Sequence, residues 1–347
     1  MTAFDLLLVG YGNVARTFAK LLDERREALA SDYRMRTRVI GIATRREGAR
    51  YVAREFGRPR ARSTAAFVRE ACARDSAAAR EGRLVMIETT TLDIDRGEPA
   101  ITHVRTALAG GAHVVTANKG PAAFAYGRLS RAASRANRRF LFEGAVMDGV
   151  PIFNLAREAL PAVHVTGFRG VVNSTTNFIL TAMEEGRAFG DALAEMQARG
   201  IAEADASLDV DGWDAAAKTA ALANVLLGAN ITPHDVERAG MSEATAPLVA
   251  AALAAGRRLK LVAQGARRGR RVVARVAPES LPADDLLARL ERQQNALVLQ
   301  TDLLNEIAIV QRGGGLVQTA YALLSDLITI ARATPPARRS TRRRRSP

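Results

Sequence analysis

The sequence predicts an α/β chain with two successive cores, a doubly wound parallel sheet followed by an α+β domain. Three observations carry this. Short apolar runs alternate with helix-spaced segments from residue 4 to residue 142. A glycine turn, Gly10-Tyr11-Gly12-Asn13-Val14-Ala15, directly follows the first run. From residue 163 onward the runs lengthen, polar residues interrupt them, and helical segments cluster instead of alternating.

Residues 4–9 are the first strand candidate, and a helical pattern then continues to residue 29. Residues 38–43, 84–87 and 113–116 give further strands, with helical spacing over 99–108 between the last two. Pro121 suits the first turn of another helix, where its missing N–H would be unpaired anyway; that helix ends near Arg135, before a strand at 140–142. In the second half, 163–172 reads as a strand and 176–185, 190–199 and 213–227 as helices. Strands follow at 259–264, 271–276, 297–301 and 307–311. Residues 317–332 close the folded part as a helix whose Val317, Tyr321, Leu324, Leu327 and Ile328 form one apolar face, expected to pack on the first domain. Linkers fall near Pro151 and Gly313–Gly315. The division is therefore 1–150, 151–312, a returning helix at 313–332, and a disordered basic tail at 333–347.

Composition limits the function classes. At 347 residues, 48% hydrophobic and 25% charged, the chain supports two substantial cores. Cys72 is the single cysteine, so an intrachain disulfide is excluded and a reducing cytoplasm is the expected location. It lies in an Ala- and Arg-rich run without a nearby histidine and reads as inert packing. No apolar run approaches the ~18 residues of a membrane span, and the start has no basic n-region, so no membrane partner is expected. The net charge of +14 raises the question of nucleic acid. Residues 332–347 hold seven arginines and no acid, half of that excess. A Pro- and Arg-rich tail that cannot bury an apolar face reads as solvated, so a nucleic-acid partner is not expected. His103, His113, His164 and His234 are scattered without zinc-ligand spacing.

The glycine turn suits a dinucleotide. Gly10 permits the tight turn, Gly12 lets a pyrophosphate approach the backbone, and Ala15 in the third place keeps the helix close to the sheet. The helix offers its N-terminal N–H groups, with Tyr11, Asn13 and Val14 beside them, to the phosphates. The first domain is therefore read as a Rossmann dinucleotide-binding domain. The second strand ends Ala43-Thr44-Arg45-Arg46 without the acid that would hold a ribose 2′-hydroxyl. Arg45 and Arg46 instead favour a 2′-phosphate and NADP, with NAD as the alternative. Among 50 basic residues only four are lysines, at 20, 119, 218 and 260. Lysine, unlike arginine, can exchange a proton when its pKa is shifted, and Lys119 and Lys218 fall inside dense motifs.

Those motifs carry a family resemblance. Thr116-Ala117-Asn118-Lys119-Gly120-Pro121 resembles the Asn-Lys-x-Pro segment of homoserine dehydrogenases, and Glu143-Gly144-Ala145-Val146-Met147-Asp148-Gly149-Val150-Pro151 resembles the segment crossing between their domains. Gly170 to Leu180, with Asn173-Ser174-Thr175-Thr176-Asn177, is similar to their Asn-Gly-Thr-Thr-Asn run, with Ser174 replacing glycine. The richest match runs from Gly200 through Glu203, Asp205, Asp209, Asp211 and Asp214 to Lys218. The matches come in family order over residues 4–331.

The resemblance implies NAD(P)-dependent interconversion of L-homoserine and L-aspartate 4-semialdehyde, in threonine and methionine biosynthesis. That chemistry needs a positioned acid/base at the substrate oxygen. Asp214 and Lys218 stand four apart on one face of a predicted helix. By resemblance Lys218 is the proton donor/acceptor, and Glu203 and Asp214 hold the substrate ammonium, with Asp209 a weaker candidate. Lys119 follows a strand at the sheet's carboxyl edge, next to nicotinamide or substrate. Thr89 and Thr90 line the nicotinamide, Thr175 faces substrate, and Gly200, Gly313 and Gly315 close over the cofactor. A monovalent cation, usually sodium, is implied at Glu143, Val146, Asp148 and Val150, held mostly by main-chain oxygens; Asp148 replaces the family's usual small residue. The second domain would then bind substrate and form a homodimer. The family's regulatory ACT domain is expected to be absent, since only the basic tail follows Arg332, and no kinase segment precedes residue 4. Two rivals differ in class: a sister dehydrogenase for another small hydroxy or semialdehyde substrate, and a silent dinucleotide sensor with a nucleic-acid-binding tail. Glu203 with Asp214 argues against the first and intact Lys119 and Lys218 against the second.

Overall fold

The structure is a computed structural model that describes residues 1–198, 206–242 and 245–334. Its first sheet contains β1 (Thr2–Val9), β2 (Met35–Thr44), β3 (Gly48–Tyr51), β4 (Leu84–Glu88), β5 (His113–Thr116) and β6 (Phe140–Leu141). They lie in the order β3-β2-β1-β4-β5-β6. All neighbours are parallel except β2 and β3, an antiparallel hairpin. Every residue of β4 and β5 is buried, as a parallel strand covered on both faces requires. Strand order reverses beside β1, so the carboxyl ends of β1 and β4 flank the crevice where ligands of this architecture bind.

Two first-domain expectations are corrected. The hairpin strand β3 makes the sheet mixed at its edge. The helix after the glycine turn is two helices, Asn13–Glu24 and Arg26–Ser31, divided at Arg25, whose φ of −100° and ψ of 9° leave the helical region.

The second sheet contains β7 (Val165–Val171), β8 (Glu237–Arg238), β9 (Arg257–Arg268), β10 (Arg271–Pro282), β11 (Asn295–Thr301) and β12 (Glu306–Gln311). The order is β12-β11-β7-β9-β10-β8, antiparallel apart from the short β8–β10 pair. The hairpin of β9 and β10 pairs from Arg268↔Arg271 to Arg257↔Pro282, well beyond the runs at 259–264 and 271–276. The helix Ala246–Ala254 was not anticipated from the sequence either.

The helix Gly120–Arg135 of the first half packs against the helix Trp213–Leu226 of the second. Asn224, 3% exposed, joins them: its Nδ2 donates to the carbonyls of Ala122 (3.1 Å), Ala123 (3.1 Å) and Ile231 (2.9 Å), while its Oδ1 accepts from Ile231 N–H. An amide with this many buried partners fixes the relative placement of the two helices, since moving either strands a desolvated polar group. The final helix, Leu316–Ala333, lies on the first sheet. Its Ala320, Leu323, Leu324, Leu327 and Ile330 join Phe4, Leu6, Phe18 and Leu22 in one core. The buried face is rotated from the expected one: Val317 and Tyr321 are 61% and 52% exposed. The small Ala320 extends the stripe that packs, at spacings of three and four. Among the described residues no helix is long and apolar enough to cross a membrane.

Candidate active site

Three chain segments meet at the domain boundary. Asp214 stands in the first turn of Trp213–Leu226, a helix entered through Gly212, whose φ of +79° favours glycine over any residue with a Cβ. Lys218 follows one turn later. Lys119 sits between Asn118 and Gly120 where the Gly120–Arg135 helix begins. Lys119 Nζ donates to Asp214 Oδ1 at 2.7 Å, and Lys218 Nζ lies 2.9 Å from Asp214 Oδ2. Lys218 also donates to the Val172 carbonyl at 2.7 Å. One carboxylate thus bridges the two lysines that the sequence singled out.

Asn173, not marked as a site residue by the sequence, organises the other side. Its Nδ2 donates to Asp209 Oδ1 (2.7 Å) and Asp214 Oδ2 (2.9 Å), and its Oδ1 caps the Ser174–Glu184 helix by accepting from Thr176 N–H (2.9 Å). Thr175 is buried beside it, where its hydroxyl favours the charged form of Asp209. The recoverable signal was an Asn immediately before a Ser-Thr-Thr helix start, a standard capping position.

Electrostatics separate the two acids. Burial alone would raise the Asp214 pKa, but the adjacent Lys119 and Lys218 ammonium groups hold it far below the ordinary carboxylate range. Asp209 goes the other way, pushed up by burial and by the negative charge of Asp214. Burial opposes the charged form of Lys218, yet Asp214 outweighs it and raises the lysine pKa. The result is a firmly ionised Asp214, a protonated Lys218, and an Asp209 that a further cation would stabilise.

The dinucleotide end lies at the reversal of strand order. Gly10 N–H donates to the Ala43 carbonyl at 2.9 Å, and Thr89 Oγ1 donates to the Gly10 carbonyl at 3.2 Å. A Cβ on Gly10, at φ +85°, would lie 2.7 Å from the Thr89 carbonyl group, so glycine is required. Gly12, the N-cap of Asn13–Glu24, has nothing within 4 Å of where a Cβ would stand, and no side chain caps the helix. Open N–H groups at a helix start beside an uncrowded glycine fit a pyrophosphate. Tyr11 and Val14 are half-buried, while Asn13 is exposed. Arg45 and Arg46 are exposed in the turn between β2 and β3.

Thr90 lies beyond β4, where its N–H donates to Glu88 Oε1 at 2.9 Å. Glu143 is buried, and its carboxylate accepts from the N–H groups of Phe153 (2.8 Å) and Asn154 (2.7 Å). The Asp148 carboxylate accepts from Gln311 Nε2 (3.1 Å) and Thr319 Oγ1 (3.0 Å). Those bonds tie the crossing segment, with Val146 and Val150, to the Gly313–Gly315 turn at the start of the final helix. Gly200 and Glu203 lie outside the described residues. The single thiol, Cys72, is buried and pushed up to about 12, far from the site chemistry. A cavity of about 1100 Å³, lined by Arg80, His113, Arg139, Arg157 and His164, contains none of the site lysines or aspartates. That cavity does not mark the site. The convergence of charged groups does.

The chain is similar over most of its length to known proteins. Residues 151–328 match the family model for homoserine dehydrogenase, and residues 10–143 match the model for the homoserine dehydrogenase NAD-binding domain. An NAD(+)-dependent homoserine dehydrogenase from Pseudomonas canavaninivorans is 36% identical over 345 residues, covering 95% of this chain and 97% of the relative. A homoserine dehydrogenase from Sulfurisphaera tokodaii is 34% identical, covering 94% and 98%. The crystal structure of a homoserine dehydrogenase from Thiobacillus denitrificans superposes with a TM-score of 0.79 at 29% identity, over 96% of this chain and 74% of that one.

Proposed function

This chain belongs to the homoserine dehydrogenase family, and from that premise we propose how its residues divide the work. The family reaction is the interconversion of L-homoserine and L-aspartate 4-semialdehyde with a nicotinamide dinucleotide, a step of threonine and methionine biosynthesis. When bound, the nicotinamide accepts or supplies the hydride. The residues here do the rest. Lys218 Nζ takes the proton from the homoserine hydroxyl during oxidation and returns it to the aldehyde oxygen during reduction. Asp214 holds the Nζ atoms of Lys218 and Lys119 on its two oxygens. The observation that carries this reading is the bridging carboxylate, 2.7 Å from Lys119 and 2.9 Å from Lys218.

Both oxygens of Asp214 have cationic or amide partners, whereas among the described residues Asp209 accepts from the Asn173 amide and has no cationic partner. Asp209, helped by Glu203, is therefore assigned the substrate ammonium, with Asp214 acting mainly through the lysines. Arg45 and Arg46 make no ion pair among the described residues, which supports reading them as partners of a 2′-phosphate and NADP as the cofactor over NAD. The Glu143 and Asp148 carboxylates are committed to internal donors, so a monovalent cation at Glu143, Val146, Asp148 and Val150 would rest on main-chain oxygens. Sodium-dependent activity measured against tetramethylammonium would test it. A homodimer is extended from the resemblance and is checked by light scattering. The deciding experiment is a spectrophotometric assay of reduced-cofactor oxidation with aspartate semialdehyde. The wild type should turn over and Lys218→Ala should not; equal activity in both would sink the assignment.

A further inference from the structure

Beneath the Thr89–Thr90 turn and the Asn118–Lys119 segment lies a closed ring of hydrogen bonds that the reaction chemistry does not itself call for. Glu88 ends β4 and is 0% exposed; its register partner on β5 is Thr116, also 0% exposed. Glu88 Oε2 accepts from Thr116 Oγ1 at 2.7 Å, and Glu88 Oε1 accepts from Thr90 N–H at 2.9 Å and from the Thr90 hydroxyl. Thr116 Oγ1 in turn accepts from Asn118 N–H at 2.9 Å, and Asn118 Nδ2 donates to the Thr90 carbonyl at 2.9 Å. Asn118 Oδ1 accepts from Gly120 N–H at 2.8 Å. The ring runs Glu88, Thr90, Asn118, Thr116 and back. It clamps the backbone on both sides of Lys119 and fixes the Thr89–Thr90 turn that closes against Gly10.

A carboxylate is an expensive way to fill a space between two buried strands, because an apolar side chain there would need no donors. Its three acceptor contacts reach both loops at once. We propose that Glu88 is a positioning residue: through Thr90, Thr116 and Asn118 it sets where Lys119 Nζ and the Thr89–Thr90 turn stand relative to the reacting carbon and oxygen. This rests on the reading that Lys119 and Lys218 flank the substrate. Misplacement by about an ångström at a remote support can cost on the order of a hundred-fold in rate while leaving binding nearly intact.

The test uses the full chain with both cofactors. Glu88→Ala should lower kcat by roughly ten- to a hundred-fold, with the homoserine KM and the dinucleotide Kd moving less than about three-fold. Glu88→Gln keeps the shape and an acceptor for Thr90, and should recover kcat to within about three-fold of wild type, a rescue that loss of general stability would not give. Thr116→Val should lower kcat in the same direction, and Glu88→Ala with Thr116→Val should be no slower than the slower single variant, since both break one ring. If Glu88→Ala does not fold, Thr116→Val and Glu88→Gln carry the test. A folded Glu88→Ala at wild-type kcat overturns the proposal, and so does a Gln variant as slow as Ala, which would assign the effect to charge. Lys218→Ala is run beside them. If it stays active, the catalytic reading fails; if it is inactive while Glu88→Ala is normal, only the ring fails.

Discussion

Lys119 and Lys218 reach the same carboxylate from opposite sides of the domain boundary, and they are held there by different means. Among the described residues, the hydrogen-bond and ion-pair partners of Lys218 belong to the second half: Asp214 on its own helix and the Val172 carbonyl just beyond β7. Neither of these two contacts crosses the domain boundary. Lys119 comes from the first half, and its ammonium bond to Asp214 crosses the boundary. Its backbone is clamped by the Asn118 side chain, so its reach depends on how the two halves dock. The difference suits the division proposed above, with the proton on Lys218 and the contact that depends on docking on Lys119. Rigid placement is what a proton-transfer group requires.

Substitutions that keep or remove charge sharpen this contrast most. Lys218→Ala should lower kcat by roughly 10²–10⁴-fold, the usual range for a positioned acid/base. Lys218→Arg should be almost as slow, because guanidinium keeps the charge but does not release its proton. Lys119→Ala loses a charge-assisted contact worth about 1.5–3 kcal/mol, roughly ten- to a hundred-fold. Lys119→Arg should recover part of that, since only charge and reach are asked of it. Steady-state kcat and KM for the four variants decide the matter; equal responses of the two lysines to arginine would dissolve the distinction.

The pH dependence should differ between the two reaction directions. Asp214 raises the Lys218 pKa above the ordinary lysine value despite burial. Reduction uses the protonated lysine, so its rate should be level through neutral pH and fall only as pH rises through that raised pKa. Oxidation uses the free amine, so its rate should climb by up to about ten-fold per pH unit below the same value. Stability follows the same sign. The Lys218 contribution is complete below the unfolded lysine pKa and is lost as pH rises through the folded one. The Asp214 contribution is present above the unfolded carboxylate pKa and is lost as pH falls through its depressed folded value. Matching pH profiles for the two directions would remove Lys218 from the proton path.

A smaller effect is expected where neither lysine reaches. Arg45→Ala with Arg46→Ala should weaken NADP more than NAD, shifting the ratio of affinities about ten-fold or more, because one charge-assisted contact to the 2′-phosphate is worth ~1.5–3 kcal/mol. Fluorescence titration with both cofactors measures it. Equal weakening of the two would return these arginines to the solvated surface and leave the NAD dependence of the Pseudomonas relative as the better guide.

What the sequence disclosed follows from what each feature needs. β1, β4 and β5 are buried on both faces, so their apolar runs stand out. Asp214 and Lys218 share a helix face, and spacing alone pairs them. β3 is Gly-Ala-Arg-Tyr, four residues whose pairing depends on the neighbouring strand, and no local pattern marks it. The Ala246–Ala254 helix is apolar nearly all round and gives no periodicity. Lys119 was found by its motif, but its bond to Asp214 spans 95 residues and had no local sign. Asn173 and Glu88 were passed over because their importance lies in whom they touch. The final helix was oriented by its large residues, Val317 and Tyr321, when the packed face includes the small Ala320.

The smallest effect concerns the basic residues that the two-lysine contrast leaves without work. Residues 335–347 contain six arginines, at 338, 339 and 342–345, together with three prolines and no acid. If catalysis depends on two ammonium groups fixed by Asp214, charge at the end of the chain should not matter. Deleting 335–347 should leave kcat/KM within about two-fold and stability within about 0.5 kcal/mol, the usual reach of changes that touch no core. Cutting at Gly315 is the contrasting case, because it also removes Leu323, Leu327 and Ile330 from the first core. Truncating one buried leucine to alanine typically costs about 2–5 kcal/mol, so losing the whole face should leave no folded enzyme. Circular dichroism and the reductive assay on both truncations separate the outcomes. A short truncation that stays folded yet loses activity would mean that the arginines, and not only Lys119 and Lys218, supply charge to the reaction.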